Sequence, residues 1–255
     1  MIKTLLSVAG FDPSGGAGIL LDLAVFRCLG FRGAAVITAL TAQDSLAVLS
    51  VRPVPPAFIR RQWDVLRADF AIAGIKAGMA GSAAGWDEIG RGLARHAGIP
   101  RVVDPVLRSS SGALLAGTAA PGRIAAALRG RASLITPNLD EASFLTGRRI
   151  ATGAAMTEAA RRIFDEIGCA CLVKGGHLRG PAIDILYDGE RTHRFPHPRI
   201  GRDAHGTGCF LSASILGFWA GGAGLAESCQ KAIRRTERAI RVSVRPGRGR
   251  FFLSP

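Results

Sequence analysis

Short apolar segments alternate with helix-like segments along almost the whole chain, and this alternation constrains the fold more than any other feature. The apolar segments predict strands at Thr4–Ala9, Ala34–Leu40, Ala71–Lys76, Arg101–Val103, Ser133–Thr136 and Cys169–Lys174. Helical spacing predicts helices at Ile19–Leu29, Pro53–Arg67, Asp87–His96, Ala119–Leu128 and Thr157–Ile167, one that opens at Pro137–Glu141, and two more after Cys209 and from Glu227 to Ser243. Such alternation predicts an α/β fold with a mainly parallel sheet covered on both faces.

One pair of segments departs from the alternation. Ile183–Tyr187 and Thr192–Phe195 are separated by a short turn, and we expect them to pair with each other. The 255 residues are enough for one large α/β domain. Because neither a linker-like segment nor a repeat divides the sequence, we expect a single domain over residues 1–255.

The net charge of +14 suggests a nucleic-acid partner, but its distribution argues against one. Only four of the 33 basic residues are lysines, which is typical of a general preference for arginine. Aromatic residues make up 6% of the chain and are not interleaved with the arginines as a base-stacking surface requires. The dense basic segment Lys231–Arg250 is interpreted as a solvated helix face and tail. We therefore expect no nucleic-acid partner.

The cysteines and the longest uncharged run bear on location. The five cysteines are an odd number without a signal-like start, so a disulfide framework is not expected and the cytoplasm is the predicted compartment. The run Cys209–Ala226 is uncharged but contains four glycines. It predicts a buried helix followed by a loop rather than a membrane span.

The segment His205–Cys209 has the form Gly-x-Gly and leads directly into that apolar helix. A turn of this kind directs backbone N–H groups and the positive end of the helix dipole at one point, which binds an anion without a lysine. The Cys209 thiol lies at the mouth of the turn, where a positive field favours the thiolate. An anion site with a base beside it indicates phosphoryl transfer.

Further polar residues follow the carboxyl ends of predicted strands, where open α/β sheets bind ligands. Asp104 and Glu141 supply two carboxylates, which suits Mg²⁺ held by phosphates and waters, and Lys174 suits a phosphate clamp. Asn138 and Glu141 also resemble a helix capping box, so their interpretation stays open. Gln43 and Met79 are suited to a flat heteroaromatic ring, and Asp22 lies where it faces either the cleft or solvent.

Together these segments resemble the hydroxymethylpyrimidine/phosphomethylpyrimidine kinase family of thiamin biosynthesis, within the ribokinase-like superfamily. The matching stretches are Ala9–Ile19, Val36–Gln43, Lys76–Met79, Val103–Val106, Leu134–Glu141, Val173–Leu178 and His205–Cys209. They extend from residue 4 to about residue 220, and the ordered set is far more specific than any one motif. The resemblance implies a three-layer α/β/α sandwich that transfers the ATP γ-phosphoryl group, with Mg²⁺, to the hydroxymethyl group of 4-amino-5-hydroxymethyl-2-methylpyrimidine and then to its monophosphate.

The resemblance also implies roles for individual residues. The catalytic anion hole comprises Gly206, Thr207, Gly208 and Cys209, and Cys209 takes the place of the aspartate base of related sugar and pyridoxal kinases. Asp104 and Glu141 act through magnesium, and the ATP phosphates are contacted by Lys174, Asn138 and Glu141. The pyrimidine pocket is lined by Ala17, Asp22, Gln43, Met79 and Val106. A homodimer with a small-molecule substrate and no membrane partner is expected.

Four departures from the family pattern keep alternatives open. Phe11 replaces a serine or threonine, Asp44-Ser45 replaces Asn-Thr, and Asp203-Ala204 replaces Asn-Thr. The run Arg108–Gly112 has Ser110 in place of the usual lysine, which bears on the second phosphorylation. The alternatives are a kinase of this fold for another heteroaromatic alcohol of pyridoxal type, a ligand sensor that has lost transfer, and a nucleic-acid binder.

Overall fold

The computed structural model describes residues 3–107, 119–176, 178 and 182–255. Nine strands of this part of the chain form one sheet. They are β1 Thr4–Phe11, β2 Arg32–Gln43, β3 Val48–Pro53, β4 Ile72–Ala77, β5 Arg101–Val103, β6 Leu134–Ile135, β7 Ala170–Val173, β8 Ala182–Tyr187 and β9 Thr192–His197. Their order is β3-β2-β1-β4-β5-β6-β7-β8-β9. Strands β2, β1, β4, β5, β6 and β7 run parallel to one another. Strands β3, β8 and β9 join the sheet through antiparallel pairs.

Helices cover both faces of the sheet. They are α1 Gly18–Cys28, α2 Pro56–Asp69, α3 Ala83–Ala94, α4 Pro121–Leu128, α5 Leu139–Thr146, α6 Gly153–Ile167, α7 Thr207–Ala220 and α8 Leu225–Arg241. One apolar core lies between the sheet and helices α2 to α6 and contains Trp86, and the other lies under α1, α7 and α8 and contains Phe26. Burying one such side chain contributes about 1.5–3 kcal/mol. The predicted three-layer α/β/α sandwich is confirmed.

Local signals explain where several elements begin and end. The Thr152 side chain accepts a hydrogen bond from the Ala155 N–H, so α6 begins at Gly153 rather than at the predicted Thr157. Gly168, at φ 75°, ends the same helix. The predicted helix Pro53–Arg67 begins only at Pro56, because Pro53 is the last residue of β3. The predicted hairpin is confirmed as β8 and β9.

Two strand pairings were not expected from the sequence. Edge strand β3 has no fully buried residue and pairs with β2. A second, two-stranded sheet joins β10 Ala204–His205 to β11 Phe251–Phe252 in parallel. The basic tail, to which the sequence assigned no role, therefore returns to the segment directly before α7.

The apolar run after Cys209 forms α7 up to Ala220 and then a short loop, as predicted. Within the described ranges, no helix has the length and apolar character needed to span a bilayer. Helix α8 buries Cys229 and Ile233 while Arg234, Arg238 and Arg241 remain exposed. These three arginines form an exposed basic face on α8, and its interpretation as a solvated face stays a prediction.

Candidate active site

The amino end of α7 is shaped by close backbone packing. Gly206 is its N-cap residue at φ 79°, and a Cβ atom there would lie 2.0 Å from the carbonyl oxygen of Gly16. Only glycine satisfies both constraints. Among the described residues no side chain caps this helix, so the N–H groups of its first turn are left for another acceptor. An anion is the acceptor that this geometry and the helix dipole favour.

Gly208 connects this turn to a cluster of charged side chains. A Cβ atom on Gly208 would lie 3.2 Å from Asp104 Oδ2 and 3.2 Å from Lys174 Nζ. Asp104 follows β5 and Lys174 follows β7, so the parallel sheet brings both to the edge at which α7 begins. The convergence of separate segments at this edge, which the sequence predicts, is confirmed.

Lys174 links the two carboxylates of the cluster. Its ammonium donates to Asp104 Oδ1 at 2.7 Å and lies 3.9 Å from Glu141 Oε2, and Thr136 Oγ1 donates to the same Asp104 oxygen at 3.1 Å. Burial opposes the charge of Lys174, but Asp104 and Glu141 raise its pKa above the ordinary value. The Lys174 side chain remains 15% exposed, so a ligand can reach this protonated ammonium.

Glu141 has two structural partners that explain its position. Its Oε2 accepts the Asn138 N–H at 2.8 Å, and the Asn138 side chain accepts the Glu141 N–H at 2.8 Å. The capping-box interpretation is therefore confirmed. Burial raises the pKa of Glu141 to about 7, with a further rise from Asp104 and an opposing effect of Lys174.

The donor set fits magnesium only in company with other ligands. Among the described residues, no group of three or more His, Cys, Asp and Glu side chains is arranged to hold a metal ion. Asp104 and Glu141 supply two hard oxygen donors, which suits a Mg²⁺ ion that takes its remaining ligands from phosphates and water. The site therefore fits metal bound together with a nucleotide.

Asp22 lies in neither of the two places that the sequence suggested. Its carboxylate is fully buried, where it accepts hydrogen bonds from Lys76 Nζ at 2.9 Å and Ser7 Oγ at 2.6 Å. Burial opposes the charge of Lys76, but the carboxylates of Asp22 and Asp104 raise the pKa of this lysine. Asp22 thus lies beneath the site, paired with a lysine 54 residues away that the sequence pattern could not connect to it.

Cys209 also differs from expectation. The positive helix end was expected to favour the thiolate, but burial raises the pKa of the thiol above its ordinary value. The charge of Lys76 and a hydrogen bond from the Gly18 backbone oppose this rise without cancelling it. The resting thiol is therefore neutral.

The residues assigned to the ring pocket lie in three neighbouring places. Met79 and Val106 belong to one small apolar cluster, and the Met79 sulfur packs against Gly10 of β1. Ala17 is the N-cap residue of α1, and Gln43 is the last residue of β2. Their contact with a ring remains a prediction. The departures at Arg108 and Ser110 lie outside the described residues, as does His177 of the lysine turn.

Sequence reasoning gave no role to three residues that meet next to Gln43. Asp12 Oδ2 lies 3.1 Å from His205 Nε2, and the His205 ring packs on Phe252 with 5.8 Å between centroids. Asp12 and His205 lie inside motifs that were recognised for their glycines, so a polar side chain in each motif was the available signal. Phe252 had none, because β11 is only two residues long.

Comparison with known proteins decides the family. The sequence profile of the family described as phosphomethylpyrimidine kinase matches residues 12–253. The chain belongs to the phosphomethylpyrimidine kinase family. It is 40% identical to the hydroxymethylpyrimidine/phosphomethylpyrimidine kinase of Rhizobium meliloti, with 98% of this chain and 96% of that protein covered. It is 41% identical to the thiamine biosynthesis bifunctional protein ThiED of Geobacter sulfurreducens, of which it spans only 51%.

Solved structures agree with membership of this kinase family. Pyridoxal kinase from Staphylococcus aureus in complex with pyridoxal superposes with a TM-score of 0.89 at 26% identity, covering 100% of this chain and 93% of that one. Phosphomethylpyrimidine kinase from Clostridium difficile superposes with a TM-score of 0.80 at 32% identity, covering 93% of this chain and 99% of that one. The fold and the kinase class are thus shared, and the ring substrate is the property that distinguishes these relatives.

Proposed function

We propose that this chain transfers the γ-phosphoryl group of ATP to the hydroxymethyl group of 4-amino-5-hydroxymethyl-2-methylpyrimidine, and then to the resulting monophosphate. The observation that carries the proposal is the position of Gly208. It places the anion-binding turn of α7 directly against Asp104 and Lys174, so one transferring phosphoryl group can contact backbone N–H donors and an ammonium at once. The family supports the same reaction.

Catalysis in this site rests on positioning and charge stabilisation. The N–H groups of residues 206–209 and the Lys174 ammonium surround the negative charge of the phosphoryl group. The transfer needs little covalent chemistry from the protein. Asp104 and Glu141 would hold Mg²⁺ together with the nucleotide phosphates, and Asn138 fixes Glu141 through the capping box. When bound, the metal neutralises charge on the phosphate oxygens.

Cys209 is proposed to orient the substrate hydroxyl through its neutral thiol. It acts as the base only after the thiol has released its own proton to water, when the thiolate accepts the hydroxyl proton and becomes a thiol again. The thiol lies in the first turn of α7 beside the anion site, and its raised pKa makes any thiolate that forms a stronger base. We predict that Cys209→Ala lowers turnover by about 100-fold or more while ATP binding is retained. Single-turnover kinetics and calorimetric titration with ATP measure the two quantities. Near-normal turnover would reduce the thiol to a packing role.

A ring panel tests the substrate. ATP consumption is measured with the pyrimidine alcohol, its monophosphate and pyridoxal offered separately. Turnover of the first two is expected, and no turnover of either pyrimidine would overturn the substrate assignment. Binding of a pyrimidine without turnover would instead indicate a ligand sensor.

A pyridoxal-type ring is the second candidate substrate. Phe11, at the end of β1, places a large apolar side chain in the glycine-rich loop, and pyridoxal kinases share the fold at 26% identity. Turnover of pyridoxal in excess of both pyrimidines would select this alternative. The same panel therefore separates the two candidates.

We further infer a homodimer and a cytoplasmic location. Edge strand β3 and its surroundings expose the apolar side chains of Leu40, Leu46, Leu49 and Phe58, and Leu49 is 77% exposed. An uncovered edge of this kind favours pairing with a second copy. Sedimentation equilibrium measures the mass. All five cysteines lie in the described residues as free thiols, which favours a reducing compartment.

A further inference from the structure

Three side chains from distant segments meet at a single carboxylate oxygen beside the proposed ring pocket. Gln43 Nε2 lies 3.2 Å from Asp12 Oδ2, and His205 Nε2 lies 3.1 Å from the same oxygen. The two nitrogens are 2.8 Å apart. Asp12 is 4% exposed and His205 9%, so the cluster is nearly closed to water.

Asp12 determines which way the Gln43 amide faces. Burial opposes its charge, but hydrogen bonds from His205 and Ser14 lower the pKa of Asp12, so it is a carboxylate that only accepts hydrogen bonds. The Gln43 atom that faces Oδ2 must therefore be the donating nitrogen. Because His205 Nε2 donates to the same oxygen, its 2.8 Å contact with Gln43 Nε2 is an approach of two donors to one acceptor and not a hydrogen bond between them. Its Oε1 has no hydrogen-bond partner within the described ranges and is left as a free acceptor.

The second restraint on this amide comes from the C-terminal segment. The His205 ring packs on Phe252, and a Cβ atom on Gly16 would lie only 2.4 Å from His205 Cδ2 and 2.9 Å from Phe252 Cζ. The same segment holds the turn after Gln43, because the Gly249 N–H donates to Ser45 Oγ at 3.0 Å. Both the imidazole and the Gln43 turn are thus fixed by residues 249–252.

We propose that Asp12 and His205 are positioning residues that hold the Gln43 amide in one orientation, so that the pocket offers an acceptor and selects rings with an exocyclic amino group. The inference rests on the proposed function, in which Gln43 faces the ring. A ring that carries an oxo group in place of the amine presents an acceptor to Oε1 and is rejected. A site that pairs with one polar group discriminates strongly against a ring that leaves a buried partner unsatisfied.

Asp12→Asn tests the orientation directly. Ser14 donates its N–H and its hydroxyl to Asp12 Oδ1 at 2.9 Å and 2.7 Å, so an asparagine must keep its oxygen on that side. Its amide nitrogen then faces Gln43, which turns its own oxygen inward and offers a donor to the ring. The ratio of kcat/KM for the 4-amino ring to that for its 4-oxo analogue is expected to fall about 10-fold or more. The KM for ATP is expected to remain unchanged.

Two further variants make the test specific. Asp44→Asn changes the same charge one residue beyond Gln43 and keeps an oxygen for the Leu46 and Ala47 N–H groups, so the ratio should not change. His205→Phe keeps an aromatic ring against Phe252 but removes the nitrogen, and the ratio should fall about threefold. The His205→Phe variant also tests the proposal if Asp12→Asn does not fold. Thermal unfolding shows whether each variant is folded.

The outcomes separate this inference from the function on which it rests. If the unaltered protein phosphorylates the amino ring but the ratio is the same in Asp12→Asn and His205→Phe, the positioning role is overturned and the function stands. A uniform loss for both rings has the same meaning, since it indicates a structural role alone. If the unaltered protein turns over neither ring, the proposed function and this inference fail together.

Discussion

The chain contains two lysine–aspartate pairs near the start of α7, and they differ in exposure. In the Lys76–Asp22 pair both side chains are 0% exposed, and Asp22 Oδ1 has no hydrogen-bond partner among the described residues. In the Lys174–Asp104 pair the lysine is 15% exposed and Glu141 is a second carboxylate neighbour. A fully buried ion pair (a closed pair) can only hold the interior together. In a partly exposed pair (an open pair) the lysine can exchange its carboxylate partner for a ligand. We therefore assign a supporting role to the first pair and a binding role to the second.

Removing the buried cation should give the largest effect on stability. Lys76→Met leaves the Asp22 carboxylate buried and unpaired, which costs about 3–5 kcal/mol of the free energy of unfolding. Urea unfolding measures it. The double variant Lys76→Met with Asp22→Leu should regain most of the loss, because neither charge remains. A loss below about 1 kcal/mol in the single variant would show that the pair is not the support inferred here.

Removing the open cation should affect catalysis instead. Lys174→Met lets water reach Asp104, so stability should fall by only about 1–2 kcal/mol. Its kcat/KM for ATP should fall by about 100-fold, because the phosphoryl charge loses its ammonium. Steady-state kinetics and urea unfolding on the same preparation measure both. Equal losses of stability in the two lysine variants would contradict the comparison.

Filling the space between the α7 turn and the open pair should give a smaller effect. Gly208→Ala places a methyl group 3.2 Å from Asp104 Oδ2 and Lys174 Nζ, which forces small displacements of both. We expect kcat to fall about 10-fold, while stability changes by less than about 1 kcal/mol because alanine favours the helix. Activity and thermal unfolding are the measurements. A fully active variant would show that phosphoryl transfer does not use this space.

The smallest predicted effect concerns pH. His197 donates to Asp184 Oδ1 at 3.3 Å, and the same oxygen accepts the Gly175 N–H of the lysine turn. This carboxylate raises the pKa of His197 above 6.5, so the charged pair contributes stability that is present below pH 6.5 and lost as pH rises through the higher folded-state pKa.

The His197→Gln variant isolates this contribution. The difference in free energy of unfolding between the two proteins should shrink by less than about 1 kcal/mol from pH 6 to pH 8, since the pair is partly solvated. Urea unfolding across that range measures it. A difference that grows with pH would contradict the assigned direction.

The fold could be predicted where local patterns decide it. Apolar alternation gave the central parallel strands, and the pairing of β8 with β9 followed from two short strands separated by a turn. Strand β3 was missed because it lies at an edge and has no buried face, so its sequence lacks a hydrophobic period. Strand β11 was missed because two residues carry no period at all, and its partner is 47 positions earlier.

The candidate site was predicted as far as motif order allows. The turn at residues 206–209 and the charged residues that follow β5 and β7 were found because ligands bind at the carboxyl ends of parallel strands. The partner of Asp22 was not found, because a carboxylate on a helix gives no sign of which lysine it will meet. The predicted direction of the Cys209 pKa was wrong, because burial of the thiol outweighs the charge of Lys76 and the hydrogen bond from the Gly18 backbone.

The pairing of β10 with β11 has a consequence for the order in which the protein is completed during synthesis. A chain made only as far as residue 241 already contains all nine strands of the large sheet and both sets of covering helices. It still lacks Phe252, which packs on His205, and the residues that hold the Gln43 turn. The large sheet and its helices can therefore form before the residues around Gln43 are fixed in place. If Gln43 selects the ring as proposed, selectivity should appear only after residues 249–252 have left the ribosome.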